Sequence, residues 1–165
     1  MAVRAVVRLP ERVLKIRCDE MGEGDAGDLV RDLLDTMEVA PACVGLAAPQ
    51  IGVSQRVIVV DVSSHPKATT CSGTIVLVDP IVVEYSGRVV GREGCMSVPD
   101  LTANVARATE ITVAGRDAAG DRVHLHAQGF EARALQHEID HLDGMLILDR
   151  VESVTSDVFR RKVYK

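Results

Sequence analysis

Tryptophan is absent from this chain of 165 residues, and the whole aromatic complement is Phe130, Phe159, Tyr85 and Tyr164. With so few rings there is no platform for stacking nucleic-acid bases, and the core has to be built from Val, Leu, Ile and Ala. Positive charge is not in excess either: the formal net charge is −5, which argues against specific nucleic-acid binding. No apolar run reaches signal-peptide or membrane-span length, so no membrane partner is expected. The four cysteines, Cys18, Cys43, Cys71 and Cys95, form no CxxC pair and no disulfide-framework spacing. That pattern predicts a reducing, cytoplasmic setting in which a free thiolate is available for chemistry.

What is present fits one domain. Residues 1–165 read as a single catalytic domain, long enough to bury a core without staples, and hydrophobic residues make up 47% of it. A short extended arm ends at Pro10. Positions 29, 30, 33, 34 and 37 then have helical period, with Asp25 or Asp28 as the expected N-cap. Three strands are predicted at Val57–Val62, Thr74–Val78 and Ile81–Tyr85, and a hairpin of Ile111–Ala114 with Arg122–Ala127 turns around 117–121. The loop between the first two strands holds His65 and Cys71, which read as surface residues, and His124 and His126 share the outward face of the hairpin. Successive strands with one early and one late helix predict an α+β fold, with mixed, mostly antiparallel sheets packed around a central helix and a short C-terminal helix.

That central helix carries Gln136-His-Glu-Ile-Asp-His-Leu-Asp-Gly144. Residues four apart on a helix sit about 40° apart around the axis and one turn apart along it, so His137 and His141 can reach one metal ion. Glu138 is adjacent to that face and can act on a water without being a ligand. Leu135, Ile139 and Leu142 recur at the i, i+4, i+7 spacing of a buried stripe, so one face packs and another lines a cleft. A catalytic zinc-type site needs a third ligand and an open position. The place where HExxHxxGxxH would supply it is Ile147, and downstream only Glu152 remains. The third ligand is therefore expected upstream, in Gly91–Asp100, an irregular stretch by its Gly94 and Pro99, where Cys95 offers a thiolate for a Cys/His₂ site. A second stretch, Cys43–Gly52, is small, apolar and short of charge. Its Gln50 needs partners for a long amide in an apolar loop, or a substrate to supply them.

Taken together, Cys43-Val-Gly-Leu-Ala-Ala-Pro-Gln50, Glu93-Gly-Cys-Met-Ser97 and Gln136-His-Glu-Ile-Asp-His141 resemble the three signatures of the peptide deformylases, in order and over most of the chain. The resemblance implies a bacterial or organellar hydrolase that removes the formyl group from the N-terminal methionine of new polypeptides. It implies Cys95, His137 and His141 as ligands of one divalent ion, Fe²⁺ with Zn²⁺ or Ni²⁺ able to replace it, and Glu138 as general base and then general acid. The Gln50 amide and the backbone N–H of Met96 would meet the oxyanion. Peptide backbone would lie along Cys43, Val44 and Gly45 and against Gly94, and the methionine side chain would enter a pocket walled by Phe130, Arg133, Ala134 and His137. Two departures bear on substrate fit: Cys43 where many members have glycine, and Thr102 where a number of bacterial members have arginine. The basic tail Arg160–Lys165 reads as a solvated helix terminus, or, from the family, as a ribosome contact. Two other functions fit the same motifs: hydrolysis of another N-formyl amine, and a non-catalytic metal-binding module. A structural site needs neither a base nor an oxyanion donor, so Glu138 and Gln50 speak against the module.

Overall fold

The computed structural model describes residues 2–162. Within it, β1 (Gly45–Ala47), β2 (Val57–Val60), β3 (Ile75–Ser86), β6 (Glu110–Arg116) and β7 (Arg122–Gln128) form a sheet in the order β1-β2-β3-β6-β7. A second sheet has the order β4-β5-β8, from β4 (Val89–Cys95), β5 (Val98–Arg107) and β8 (Val158–Arg160). Every strand pair in both sheets is antiparallel. The helices are α1 (Gly27–Val39), α2 (Gly129–Leu142) and two single turns, α3 (Ile147–Arg150) and α4 (Val154–Asp157). The architecture is α+β, as expected.

The run Val57-Ile-Val-Val60 explains how the larger sheet is covered. All four residues are fully buried, as a strand sandwiched on both faces requires. Ile58 and Val60 join Leu135, Ile139 and Leu142 of α2 in one core cluster, while Val57 and Val59 join Val30 and Leu33 of α1 in another. The predicted helical stripe is thus the face that α2 turns to the sheet. A third cluster gathers Leu14, Val98, Val105, Leu146 and Ile147 around Cys95. Cys95 therefore ends its strand inside a packed environment, and the ligand-bearing helix and the thiol are held by different cores.

Several local expectations are corrected. The two strands predicted at 74–78 and 81–85 are one strand, β3, broken by a register shift between Val78 and Ile81. There Asp79 adopts φ 51, and its carboxylate accepts from the Met21 and Gly22 N–H groups and from Arg116. Pro80 has no N–H to give the ladder, which is why the sequence pattern stops there. Gly91–Asp100, read as irregular, is mostly a hairpin of β4 and β5 turning at Met96 and Ser97. Two glycines hide the alternation of β4, and only pairing with β5 reveals it. The first helix starts after Ala26, not at an aspartate cap, although Asp25 Oδ1 accepts from Gly27 N at 2.8 Å. The tail is not a helix end: α4 gives way to β8, which pairs with β5 through Phe159 and Thr102. The last three residues of the predicted basic tail, 163–165, lie outside the described residues.

Candidate metal centre

Glycine at the start of α2 and a left-handed Gly144 just after it confine the helix to the length that brings His137 and His141 to the cleft. Their rings are 5.2 Å apart, centre to centre, inclined at 66°. Cys95, at the end of β4, places Sγ 3.4 Å from His141 Nε2. Potential ligand atoms of Cys95, His137 and His141 all lie within 4.8 Å of one another.

Two observations test whether this set fits an ion. His137 Nδ1 is 2.8 Å from Glu93 Oε1, which fixes the ring and leaves Nε2 as the free donor, the arrangement usual for a ligating imidazole. Glu138 Oε1 and His141 Nδ1 are buried with no hydrogen-bond partner among the described residues. An unpartnered buried carboxylate oxygen is costly, so the pocket is built for something polar that Glu138 can hold. Soft thiolate with two imidazoles and an open side toward the cleft fits a divalent transition metal. The rival thiol, Cys43, is pushed up to about 11 by burial and by the neighbouring Glu138 charge, and it donates to the Gly45 carbonyl at 3.1 Å. It remains a thiol.

The electrostatics follow from burial. Burial raises the Glu138 carboxyl to about 7, against the opposing pull of His137. Burial also lowers His141 well below its ordinary value, with His137 adding to the effect. His137 goes the other way: despite its burial, which lowers it, the Glu138 charge and hydrogen bonds to Cys95 and Glu93 raise it well above 6.5. Glu138 has room only because residue 45 is glycine, for a Cβ there would stand 2.7 Å from Oε2 and 2.9 Å from Cγ.

A buried ion network carries His137. Glu93 accepts two bonds from Arg107, both 2.9 Å, and one of 2.6 Å from Arg133. Arg107 continues to Asp140 at 2.5 Å, and Asp140 accepts two further bonds from Arg150. Glu93, Arg107 and Asp140 are all buried. Removing the central cation takes two bonds from Glu93 and one from Asp140 and leaves both buried carboxylates under-compensated, so Arg107→Met is expected to cost about 3–5 kcal/mol, read as a drop in the urea midpoint. A loss below about 1 kcal/mol, the range of an exposed pair, would show that Arg107 does not hold the network. Despite burial, Arg107 and His137 hold the Glu93 carboxyl far below its ordinary 4.5. Above 4.5 the group is ionised in folded and unfolded chains alike and its stabilisation is complete. Below it the unfolded chain takes up a proton that the folded one refuses, so stability falls with pH. Unfolding midpoints between pH 6 and 3 should therefore fall more steeply in the metal-free wild type than in Glu93→Gln; equal slopes would contradict the assignment.

Around this centre runs a cleft of about 270 Å³. Cys43, Val44, Gly45, Gln50, Gly94, Cys95, Met96, Phe130, Arg133, Ala134, His137 and Glu138 all border it, and His141 lies buried behind. Gln50 is oriented by the protein: Oε1 accepts from Ala47 N, and Nε2 has two long contacts, 3.3 Å to Ser97 Oγ and 3.7 Å to Cys95 Sγ. Arg133 borders the cleft, but its guanidinium is committed to Glu93 and to the Val105 and Val89 carbonyls. His65, expected on the surface, instead stacks on Phe130 with ring centres 4.2 Å apart. Sequence reasoning also missed Lys67, Arg92 and Arg161 on the rim and the partners of Glu93. Arg92 directly precedes the Glu93-Gly-Cys95 motif, whereas Arg161 and the partners Arg107 and Arg133 of Glu93 are brought there by distant pairings that leave no local spacing.

An α+β fold in which a helix with an HExxH motif and a strand-end cysteine converge on an open cleft defines the class of mononuclear metal hydrolases. A family model, polypeptide deformylase, matches residues 3–157, and the chain belongs to that family. The peptide deformylase of Thermodesulfovibrio yellowstonii is 38% identical over 164 residues, covering 98% of this chain and 97% of the relative. A peptide deformylase structure from Legionella pneumophila has TM-score 0.81 at 37% identity, covering 93% of this chain and 88% of that one. The Met-Ala-Ser-bound class I type b peptide deformylase of Acinetobacter baumannii has TM-score 0.83 at 33% identity, covering 91% and 100%.

Proposed function

We propose that this protein is a metal-dependent hydrolase that removes the N-formyl group from the N-terminal methionine of newly synthesised polypeptides, releasing formate. The observation that carries the reading is family membership over nearly the whole chain, joined to the convergence of Cys95, His137 and His141 beside an unpartnered Glu138. Residues 1–165 act as one catalytic domain, a reading supported by elements from both sheets and α2 meeting at one cleft.

Cys95, His137 and His141 would hold the ion, with Fe²⁺ as the physiological metal and Zn²⁺ or Ni²⁺ as substitutes, the identity resting on the family likeness because this donor set suits several metals. A bound divalent ion supplies Lewis acidity and makes a hydroxide nucleophile accessible near neutral pH. Glu138 takes the proton of the attacking water and delivers it to the leaving amine; burial, which raises its carboxyl to about 7, suits both halves of that transfer. The Gln50 Nε2, close to the Cys95 sulfur, and the Met96 N–H donate to the oxyanion. Val44, Gly45 and Gly94 offer backbone to the peptide, with Cys43 at the edge, while Phe130, Arg133 and Ala134 wall the methionine pocket. Met-Ala-Ser bound to the Acinetobacter relative supports peptide as the substrate class.

Comparing formate release from formyl-Met peptides, formyl-Leu peptides and small formamides tests the reading. A clear preference for formyl-Met is expected, and equal turnover of all three would favour another N-formyl amine. The free state of all four cysteines and action on nascent chains support a cytoplasmic setting. No described helix is long and apolar enough to cross a membrane. The tail from Arg160 onward is proposed to aid ribosome docking. Deleting residues 160–165 should then lower co-sedimentation with ribosomes at low salt, and unchanged co-sedimentation ends the idea.

A further inference from the structure

The rim of the cleft is positive although the protein as a whole is negative. Arg161, Arg92 and Lys67 all border it, and none of them takes part in an ion pair among the described residues. Glu93, the nearby carboxylate on the same wall, is already saturated by Arg107, Arg133 and His137. Arg161 is placed with particular care. β8 pairs with β5, and Arg161 N then donates to the Asp100 carbonyl at 2.9 Å, which fixes its backbone. Two residues earlier, Phe159 carries the Arg92 guanidinium 3.5 Å above its ring, so alternate residues of this strand and its extension serve the same side. The Arg161 guanidinium lies directly against Gly94, where any Cβ would collide with Nη2 and would come within 3.6 Å of Thr102 Cγ2. A glycine and a short threonine thus leave the space that an arginine from the C-terminal strand fills. Its Nε is buried without a partner among the described residues. A half-buried cation that has a fixed backbone, one unsatisfied buried N–H and no ion-pair partner among the described residues, set beside a substrate cleft, marks the place of an anionic acceptor.

We propose that Arg161 is a specificity-determining residue, binding a carboxylate that the peptide carries beyond its formyl-methionine. The proposal rests on the deformylase reading and gives its substrate class a finer definition. Arg92, braced by Phe159, Asn104 and Thr102, and Lys67 extend the positive field along the rim. The carboxylate has two sources, the side chain of an Asp or Glu in a nascent chain and the free C-terminus of a short peptide.

The test uses the metal-loaded enzyme and four peptides: formyl-Met-Ala-Ser as the free acid and as the amide, and formyl-Met-Ala-Glu-amide against formyl-Met-Ala-Gln-amide. The acid and the Glu peptide are expected to exceed their neutral partners in kcat/KM by roughly tenfold, chiefly through KM, with the gap narrowing in 0.5 M salt. A gap in the first pair alone assigns the site to the C-terminus, and one in the second pair alone assigns it to the side chain. Arg161→Gln should abolish the gap, and Arg161→Glu should invert it in favour of the neutral partners, which a merely structural role would not do. Equal kcat/KM within both wild-type pairs overturns the proposal, as does a uniform rise for all peptides in Arg161→Gln, which would mark Arg161 as an obstruction. Should no peptide release formate, the deformylase reading itself fails. Calorimetry of Met-Ala-Ser and its amide on the wild type then still decides the proposal, tighter binding of the acid supporting it and equal binding overturning it.

Discussion

Glu138→Gln is expected to lower formate release from formyl-Met peptides by on the order of 10²–10⁴-fold, the usual contribution of a positioned acid or base, while metal content stays at the wild-type level. The carboxyl is buried beside His137 yet outside the ligand set, and one of its oxygens has no partner among the described residues. Burial raises it to about 7, so near neutral pH it is available in both protonation states. Glutamine keeps the volume that Gly45 accommodates and keeps an acceptor, but it cannot carry the proton. Turnover close to wild type in a metal-replete variant would remove Glu138 from the mechanism. Loss of metal together with activity would instead make it a structural support for the ligands.

Cys95→Ala should be as damaging by a different route, through loss of the ion. Among the four cysteines, Cys95 alone lies within ligand reach of both imidazoles. Cys43 cannot replace it, because its sulfur is not within ligand reach of the two imidazoles and is turned to the Gly45 carbonyl. Two imidazoles remain in the variant, fewer than the three protein ligands of a catalytic site of this kind. The expected result is metal-poor protein with formate release near background, and with a folded core that loses little more than one sulfur's contacts. Tight retention of one ion by Cys95→Ala would refute the ligand assignment.

How far the sequence reached can be seen in these residues. His137, Glu138 and His141 lie on one helix, where a period of 3.6 tells which residues are neighbours. Leu135, Ile139 and Leu142 revealed the packed face by the same rule. Cys95 was found through the chemistry of a missing ligand, and the small-residue loop through its lack of bulk. The support of the site was harder to see. Arg107 stands 14 residues from Glu93 and 33 from Asp140, and a pairing over those distances leaves no local pattern. Asp140 sits inside the HEIDH motif, yet the motif gives no sign that its carboxylate binds Arg107 and Arg150. The hairpin of β4 and β5 is likewise a product of pairing, and the C-terminal strand takes its form from an edge offered by β5. Arg161 reaches the cleft only through that C-terminal pairing, and His65 meets it by stacking on Phe130 of α2.

Metal analysis and formate release on one anaerobically purified sample of the wild-type chain bear on the central claim most directly. About one divalent ion per chain is expected, set by a three-ligand mononuclear site, together with formate release from formyl-Met peptides that disappears with chelation and returns when the ion is restored. Undiminished release from metal-free protein would contradict it.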